Sequence, residues 1–267
     1  MQIQRKVEIL SRLGEFFMKA AGHEAEVDEL LNPSIVRLKD AVETAHHHNG
    51  WFSPEAVKQA LTAWGESLNT ADVEAWLKSY SFEGKSQKVG VIMAGNIPLV
   101  GLHDALCVLL NEHELHAKLS SKDSLLMPVV LETIAAIAPE WKAKIKVVDQ
   151  LKNIDALIAT GSDNSARYFD YYFRGKKKLI RKNRTSVALL NNSESEEELA
   201  ALAEDIFTYY GLGCRNVTKL FLPKDYNLDQ LFKAFFPYQD IVNHNKYANN
   251  YDYNKAVYLL NKIELIE

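Results

Sequence analysis

Cysteine is almost missing from this chain: only Cys107 and Cys214 occur in 267 residues, and no paired spacing links them. That excludes a disulfide framework and a thiolate zinc site, and it suits a reducing compartment. An excess of one charge is missing too. The net charge of −4 and pI of about 6.1 offer nothing global to nucleic acid or an anionic membrane. No apolar run reaches the roughly 20 residues that cross a bilayer. The opening MQIQRKVEILSRLGEFF is charged and helix-periodic, without the apolar core of a signal peptide. Repeats and low-complexity tracts are also absent. The expectation is a soluble cytoplasmic protein with no membrane span and no nucleic-acid partner.

The remaining composition is ordinarily globular, 47% hydrophobic and 25% charged, with enough apolar material for a sizeable core. Residues 1–78 read as helices. Leu10, Leu13, Phe16 and Phe17 recur at helical spacing, as do Val57, Ala60, Leu61 and Trp64. Ser53-Pro54-Glu55 supplies an N-cap and a proline in the first turn. From about residue 87 the rhythm changes. The segments KVGVIMAG (88–95), ELHAKLS (114–120), IKVVDQ and DALIATG (155–161) read as strands. Helical stretches, VGLHDALCVLLN and the long LLMPVVLETIAAIAPEW, alternate with them. This alternation predicts an α/β fold with a mostly parallel sheet. After a basic segment, TSVALLN (185–191) and VTKLFLP are strands flanking an acid-capped helix, SESEEELAALAEDIF. Three regions follow: helices over 1–78 packing on a cofactor domain, a nucleotide-binding domain over 79–183, and part of a second α/β domain over 184–267.

Cys214 carries the clearest chemical signal. In Tyr210-Gly211-Leu212-Gly213-Cys214-Arg215-Asn216, glycines let backbone approach a substrate, and Arg215 sets a positive charge beside the thiol. A lone cysteine is more often a small buried hydrophobe. Cys107, inside the apolar DALCVLL, is read that way. Gly95-Asn96-Ile97-Pro98-Leu99, Ala117-Lys118-Leu119-Ser120-Ser121-Lys122 and Ala159-Thr160-Gly161-Ser162 end three of the strands. Open α/β sheets bind ligands at such strand ends, although each segment alone reads as an ordinary turn.

Together, in this order, these segments resemble the aldehyde dehydrogenase superfamily. GNIPLVGLHDALCVLL, AKLSSKDSLL, YYGLGCRN and NKYANNYDYNKA are more similar still to the LuxC-type acyl-CoA reductases, from about residue 88 onward. The resemblance implies an aldehyde dehydrogenase-like fold: a parallel-sheet nucleotide-binding domain, a partial α/β catalytic domain and an N-terminal helical region. It also implies reduction of a long-chain fatty acyl-CoA to the aldehyde, with NADPH or NADH as cofactor. By position Cys214 is then the nucleophile and Asn96 a donor to the oxyanion, with the Cys214 backbone N–H as the second donor. Lys118 meets the ribose, Ser120 and Ser121 follow it, and Gly161 and Ser162 lie near the phosphates and nicotinamide. No metal is implied. A homo-oligomer, or companion acyl-transfer or synthetase subunits, fits the resemblance.

Departures from that pattern sharpen it. Where hydrolytic members carry a Glu that activates water, this chain has Ile180, which argues for transfer to and from CoA over hydrolysis. Where NAD-preferring members carry a Glu toward the 2′-hydroxyl, it has Ser121 followed by Lys122, which tolerate a 2′-phosphate. The Glu-x-Phe and returning segments that follow the nucleophile elsewhere in the superfamily are absent before Glu267, so the catalytic domain reads as truncated. A non-catalytic or partner-dependent fragment, and a cysteine thioesterase or acyltransferase, remain the rival readings.

Other features stay open between two readings. The seven basic residues from Arg174 to Arg184 form either a solvated loop or an attractor for CoA or cofactor phosphates. His46-His47-His48 reads as part of a turn before Asn49-Gly50, with metal binding a remote option. His103 and Asp104 either line the site or cap a helix. Residues 247–254 (YANNYDYN) either contact the acyl chain or form a polar, turn-rich surface.

Overall fold

The computed structural model describes residues 1–263. The chain divides into two compact units, Met1–Asn183 and Arg184–Glu267.

In the first unit four helices come first: α1 (Ile3–Ala21), α2 (Asn32–His48), α3 (Pro54–Ser67) and α4 (Thr70–Lys78). Each has a sequence cause. The apolar stripe Leu10, Leu13, Phe16, Phe17 is fully buried on α1. Ser53 caps α3 by accepting the Ala56 N–H at 3.2 Å, and Asn69 caps α4 by accepting the Asp72 N–H at 3.0 Å. Such caps contribute about 1 kcal/mol each.

Then β1 (Lys88–Ile92), α5 (Leu102–Leu110), β2 (Glu114–Lys118), α6 (Leu126–Ile137), α7 (Pro139–Lys142), β3 (Ile145–Val147), β4 (Ala156–Thr160), α8 (Asp163–Tyr172) and β5 (Lys177–Arg181) alternate. The five strands are parallel, in the order β3-β2-β1-β4-β5. Ile92 is level with Lys118 on one side and Ala159 on the other, and Ala159 is level with Ile180. The segments leaving β1, β2 and β4 therefore emerge from one edge of the sheet. One core joins helices and sheet, with Phe16, Leu38, Leu61, Leu106, Leu115 and Trp141 all buried in it. A smaller cluster, Ile154, Leu157 and Ala159, takes Phe169 of α8 and Ile180 of β5.

In the second unit β6 (Ser186–Leu189) and β7 (Val217–Phe221) form a two-stranded parallel sheet. α9 (Glu196–Phe207) opens with a capping box between Ser195 and Glu198. Leu199 and Leu202 of α9 and Leu231 of α10 (Leu228–Phe235) pack on Ala188, Val217 and Leu220. α11 (Asn245–Leu260) follows. Among the described residues no helix is long and apolar enough to cross a membrane.

Several local readings are corrected. The middle of the basic run is strand β5, not a loop; at the edge of the sheet its Lys177, Lys178 and Leu179 face outward, which hides the strand pattern. His46, His47 and His48 form the last turn of α2, where cations suit the helix carboxyl end; the chain turns only at Asn49. Residues 247–254 lie inside α11, whose start is capped by His244. The long helix from Leu125 divides between α6 and α7, because the residue before Pro139 leaves the helical region. Cys107 is half-buried rather than in the core.

Candidate active site

The order β3-β2-β1-β4-β5 reverses direction at β1, so β1 and β4 flank a switch point, the crevice where open α/β sheets take ligands. Three segments named from the sequence converge near it. The turn after β1 carries the half-buried Asn96. It lies against the turn after β2: a Cβ on Gly95 would sit 2.6 Å from Ser120 Oγ and 2.9 Å from Lys122 Cβ, so only glycine fits there. Lys118 ends β2, and its carbonyl accepts the Met93 N–H at 3.0 Å. Ser120 Oγ accepts the Lys122 N–H at 3.2 Å, leaving Ser121 and Lys122 exposed at the tip. After β4, Gly161 donates its N–H to the Arg181 carbonyl at 3.2 Å. Ser162 caps α8 by accepting the Ser165 N–H at 3.3 Å. An exposed, well-capped helix start beside glycine at a switch point fits a dinucleotide phosphate.

Two charged groups brace this edge. Asp104 on α5 is buried and receives Arg181 from the end of β5. Burial pushes the Asp104 carboxyl up, but bonds and charge from His103 and Arg181 outweigh it and leave it below the usual range. His103 lies 3.6 Å from Asp104 and 3.8 Å from Cys107 Sγ, and is mostly exposed. Asp104 is an anchor for Arg181 at this edge of the sheet. Asn49 and Asp123, both buried, also bond to these turns. The sequence reading missed both: Asn49-Gly50 reads as a plain turn, and a buried aspartate has no periodic signature.

Cys214 belongs to the second unit and is exposed. The chain reaches it through Tyr209, Tyr210 and Gly211, all in the left-handed region (φ 52, 59 and 72). Non-glycine residues there carry strain that surroundings must hold. Asn216 holds it: its Oδ1 accepts the Gly213 N–H at 2.7 Å, and its Nδ2 donates to the carbonyls of Asp205 and Thr208 at 2.8 and 3.0 Å. The thiol is thus presented from a locked turn between α9 and β7.

A five-stranded parallel sheet with its switch point at β1, followed in the chain by a cysteine on a locked turn before a strand, is in keeping with the aldehyde dehydrogenase fold. Solved structures agree. Aldehyde dehydrogenase 21 from Physcomitrella patens matches with a TM-score of 0.64 at 12% identity, over 88% of this chain and 51% of that one. A propionaldehyde dehydrogenase from Rhodopseudomonas palustris, solved with bound propionyl-CoA, matches at 0.61 and 12%, over 89% and 54%. The glyceraldehyde-3-phosphate dehydrogenase GapN from Methanocaldococcus jannaschii, complexed with NADP, matches at 0.58 and 13%, over 88% and 53%. The chain spans about half the length of these neighbours. Its sequence matches the acyl-CoA reductase (LuxC) family over residues 19–231, and the chain belongs to that family. No curated protein sequence matches it.

Proposed function

We propose that this chain carries the acylation chemistry of a fatty acyl-CoA reductase, with Cys214 as the nucleophile. The observation that carries the reading is an exposed thiol on a turn fixed by Asn216, in a member of the LuxC family. The Cys214 thiolate attacks the carbonyl carbon of a long-chain acyl-CoA. Asn96 and the Cys214 backbone N–H stabilise the oxyanion; then the carbon–sulfur bond to CoA breaks and CoA leaves as a thiolate. A reduced nicotinamide dinucleotide, NADPH in preference to NADH, supplies when bound the hydride that converts the acyl thioester to aldehyde. Lys118, Ser120 and Ser121 hold its ribose side, and Gly161 and Ser162 its phosphates. Ile180 provides no base for water, and its packing against Leu157 and Ala159 supports that role.

The same reading makes acyl-CoA the substrate and the cytoplasm the compartment, with a homo-oligomer or companion acyl-transfer or synthetase subunits as the working assembly. Incubation with radiolabelled acyl-CoA, without dinucleotide, tests it. A denaturation-stable label that neutral hydroxylamine releases supports the proposal, and labelling outside Cys214 rejects the nucleophile.

A further inference from the structure

We propose that Asn49 and Asp123 are positioning residues for this reaction: they lock the turn that carries Asn96 against the turn that follows Lys118. The inference rests on the acyl-CoA reductase reading above.

Neither turn has a strand or helix of its own to hold it between β1 and α5 or between β2 and α6. Asn49, 5% exposed at the end of α2, supplies one bracket. Its amide nitrogen donates to the Gly95 carbonyl at 3.3 Å and to the Lys122 carbonyl at 3.2 Å, one from each turn. Its Oδ1 accepts the Trp51 N–H at 3.2 Å, so the amide has one satisfied orientation. Asp123, 3% exposed, supplies the second. Its Oδ2 accepts the Leu99 N–H and its Oδ1 the Met127 N–H, each at 3.2 Å. Leu99 is left-handed, with φ 57, a conformation that a bulky residue keeps only when held.

The bonded groups, Gly95 and Leu99, stand on either side of Asn96-Ile97-Pro98. Both ends of the segment that presents Asn96 are therefore fixed from the second turn or from α2. Displacing a reacting group by about 1 Å can cost on the order of 10²-fold in rate.

Asp123 shares a small hollow with His48, Lys122 and Ser124. Burial pushes its carboxyl up to about 6, against the bonds from Met127, Leu99 and Leu126. Protonation removes the charge that strengthens both bonds and leaves one oxygen a hydroxyl, a weaker acceptor; Asp123→Asn goes further and replaces one acceptor by an NH2 that only donates.

The test uses the full chain with wild type, Asp123→Asn and Asn49→Asp. Single-turnover release of CoA from acyl-CoA is measured, divided by the rate of iodoacetamide alkylation at Cys214 at the same pH. That division removes thiol ionisation from the comparison. Near-UV circular dichroism reports the fold. The expected result is variants with native spectra and unchanged alkylation that acylate about 10- to 100-fold more slowly. The wild-type ratio should fall as pH drops through about 6, and the ratio for Asp123→Asn should stay low and flat. An inflection that persists in Asp123→Asn assigns the titration to another group and overturns the role of Asp123. Folded variants that acylate like wild type overturn the proposal. Should a variant fail to fold, the wild-type ratio decides, because a flat ratio through that pH also overturns it. Wild type that alkylates but never acylates rejects the reductase reading, and this inference falls with it.

Discussion

Arg181 meets Asp104 with one nitrogen: Nη1 lies 2.7 Å from Oδ1 and 2.6 Å from Oδ2 of the same carboxylate. A single donor serving both oxygens does not require the guanidinium fork. Arg181→Lys should therefore keep most of the stability, whereas Arg181→Ala leaves a buried carboxylate with His103 as its remaining partner. Breaking a fully buried pair costs about 3–5 kcal/mol. Arg181 is 31% exposed, so a loss of about 2–3 kcal/mol is expected for Ala, read by urea denaturation. Equal losses for Lys and Ala would show that the fork matters after all.

The carboxylate, held by His103 and Arg181, sets an acid limit. The Asp104 carboxyl lies below its ordinary 3.8 in the fold, so its contribution is present above that value and is lost as pH falls through the lowered one. Thermal melts in increasingly acidic buffers should show a drop for wild type that is smaller in Arg181→Ala. Parallel curves would remove the pair from the acid response.

The covalent adduct should vanish in Cys214→Ser and Cys214→Ala, and form normally in Cys107→Ala, since Cys107 is half-buried on α5. Intact-protein mass spectrometry after mixing with acyl-CoA reads this directly. Glu at 180 would set a carboxylate against the cluster around Leu157 and Ala159. It should therefore lower stability before it turns the adduct over.

Asn96→Ala should slow acylation by about 10²–10³-fold, the usual cost of losing one oxyanion donor, with little change in acyl-CoA affinity. Rapid-quench measurement of the single-turnover rate checks it. An unchanged rate would take Asn96 out of the mechanism.

Cofactor choice should favour NADPH, because the exposed Ser121 and Lys122 bring no carboxylate toward a 2′-phosphate. Ser121→Glu should move the preference toward NADH by about tenfold or more, the effect of one added like charge of roughly 1.4 kcal/mol. Titration of nicotinamide fluorescence with both dinucleotides measures the ratio, and wild type binding NADH as well as NADPH would refute the argument.

Much of this architecture was legible because period and punctuation agreed. The β-branched run at 88–95 ends in glycine, Ser53 and Ser195 cap helices as read, and β1, β2 and β4 lie where their apolar pattern puts them. The failures share a cause: they are places where tertiary position outweighs local pattern. β5 buries little more than Ile180 and Arg181 and so lacks alternation. α11 buries no residue and so shows no stripe. Cys214 could be picked out by its glycines, but the Asn216 clamp behind it could not, since two of its three bonds reach back to the carbonyls of Asp205 and Thr208 in the preceding helix and turn. Asn49 and Asp123 escaped for the same reason.

The charged edge strand has one more effect, on what this protein avoids while it is being made. β5 closes one side of the five-stranded sheet and pairs only with β4 among the described residues. An unpaired strand edge is a template on which a second nascent chain can add its own strand. Lys177 and Lys178 stand on that edge, Lys178 beside Asp170, and a second copy approaching in either direction brings the same lysines with it. The repulsion keeps crowded, newly synthesised molecules from zipping together before each has finished folding, so neutralising these side chains should appear first as inclusion bodies and only later as lost activity.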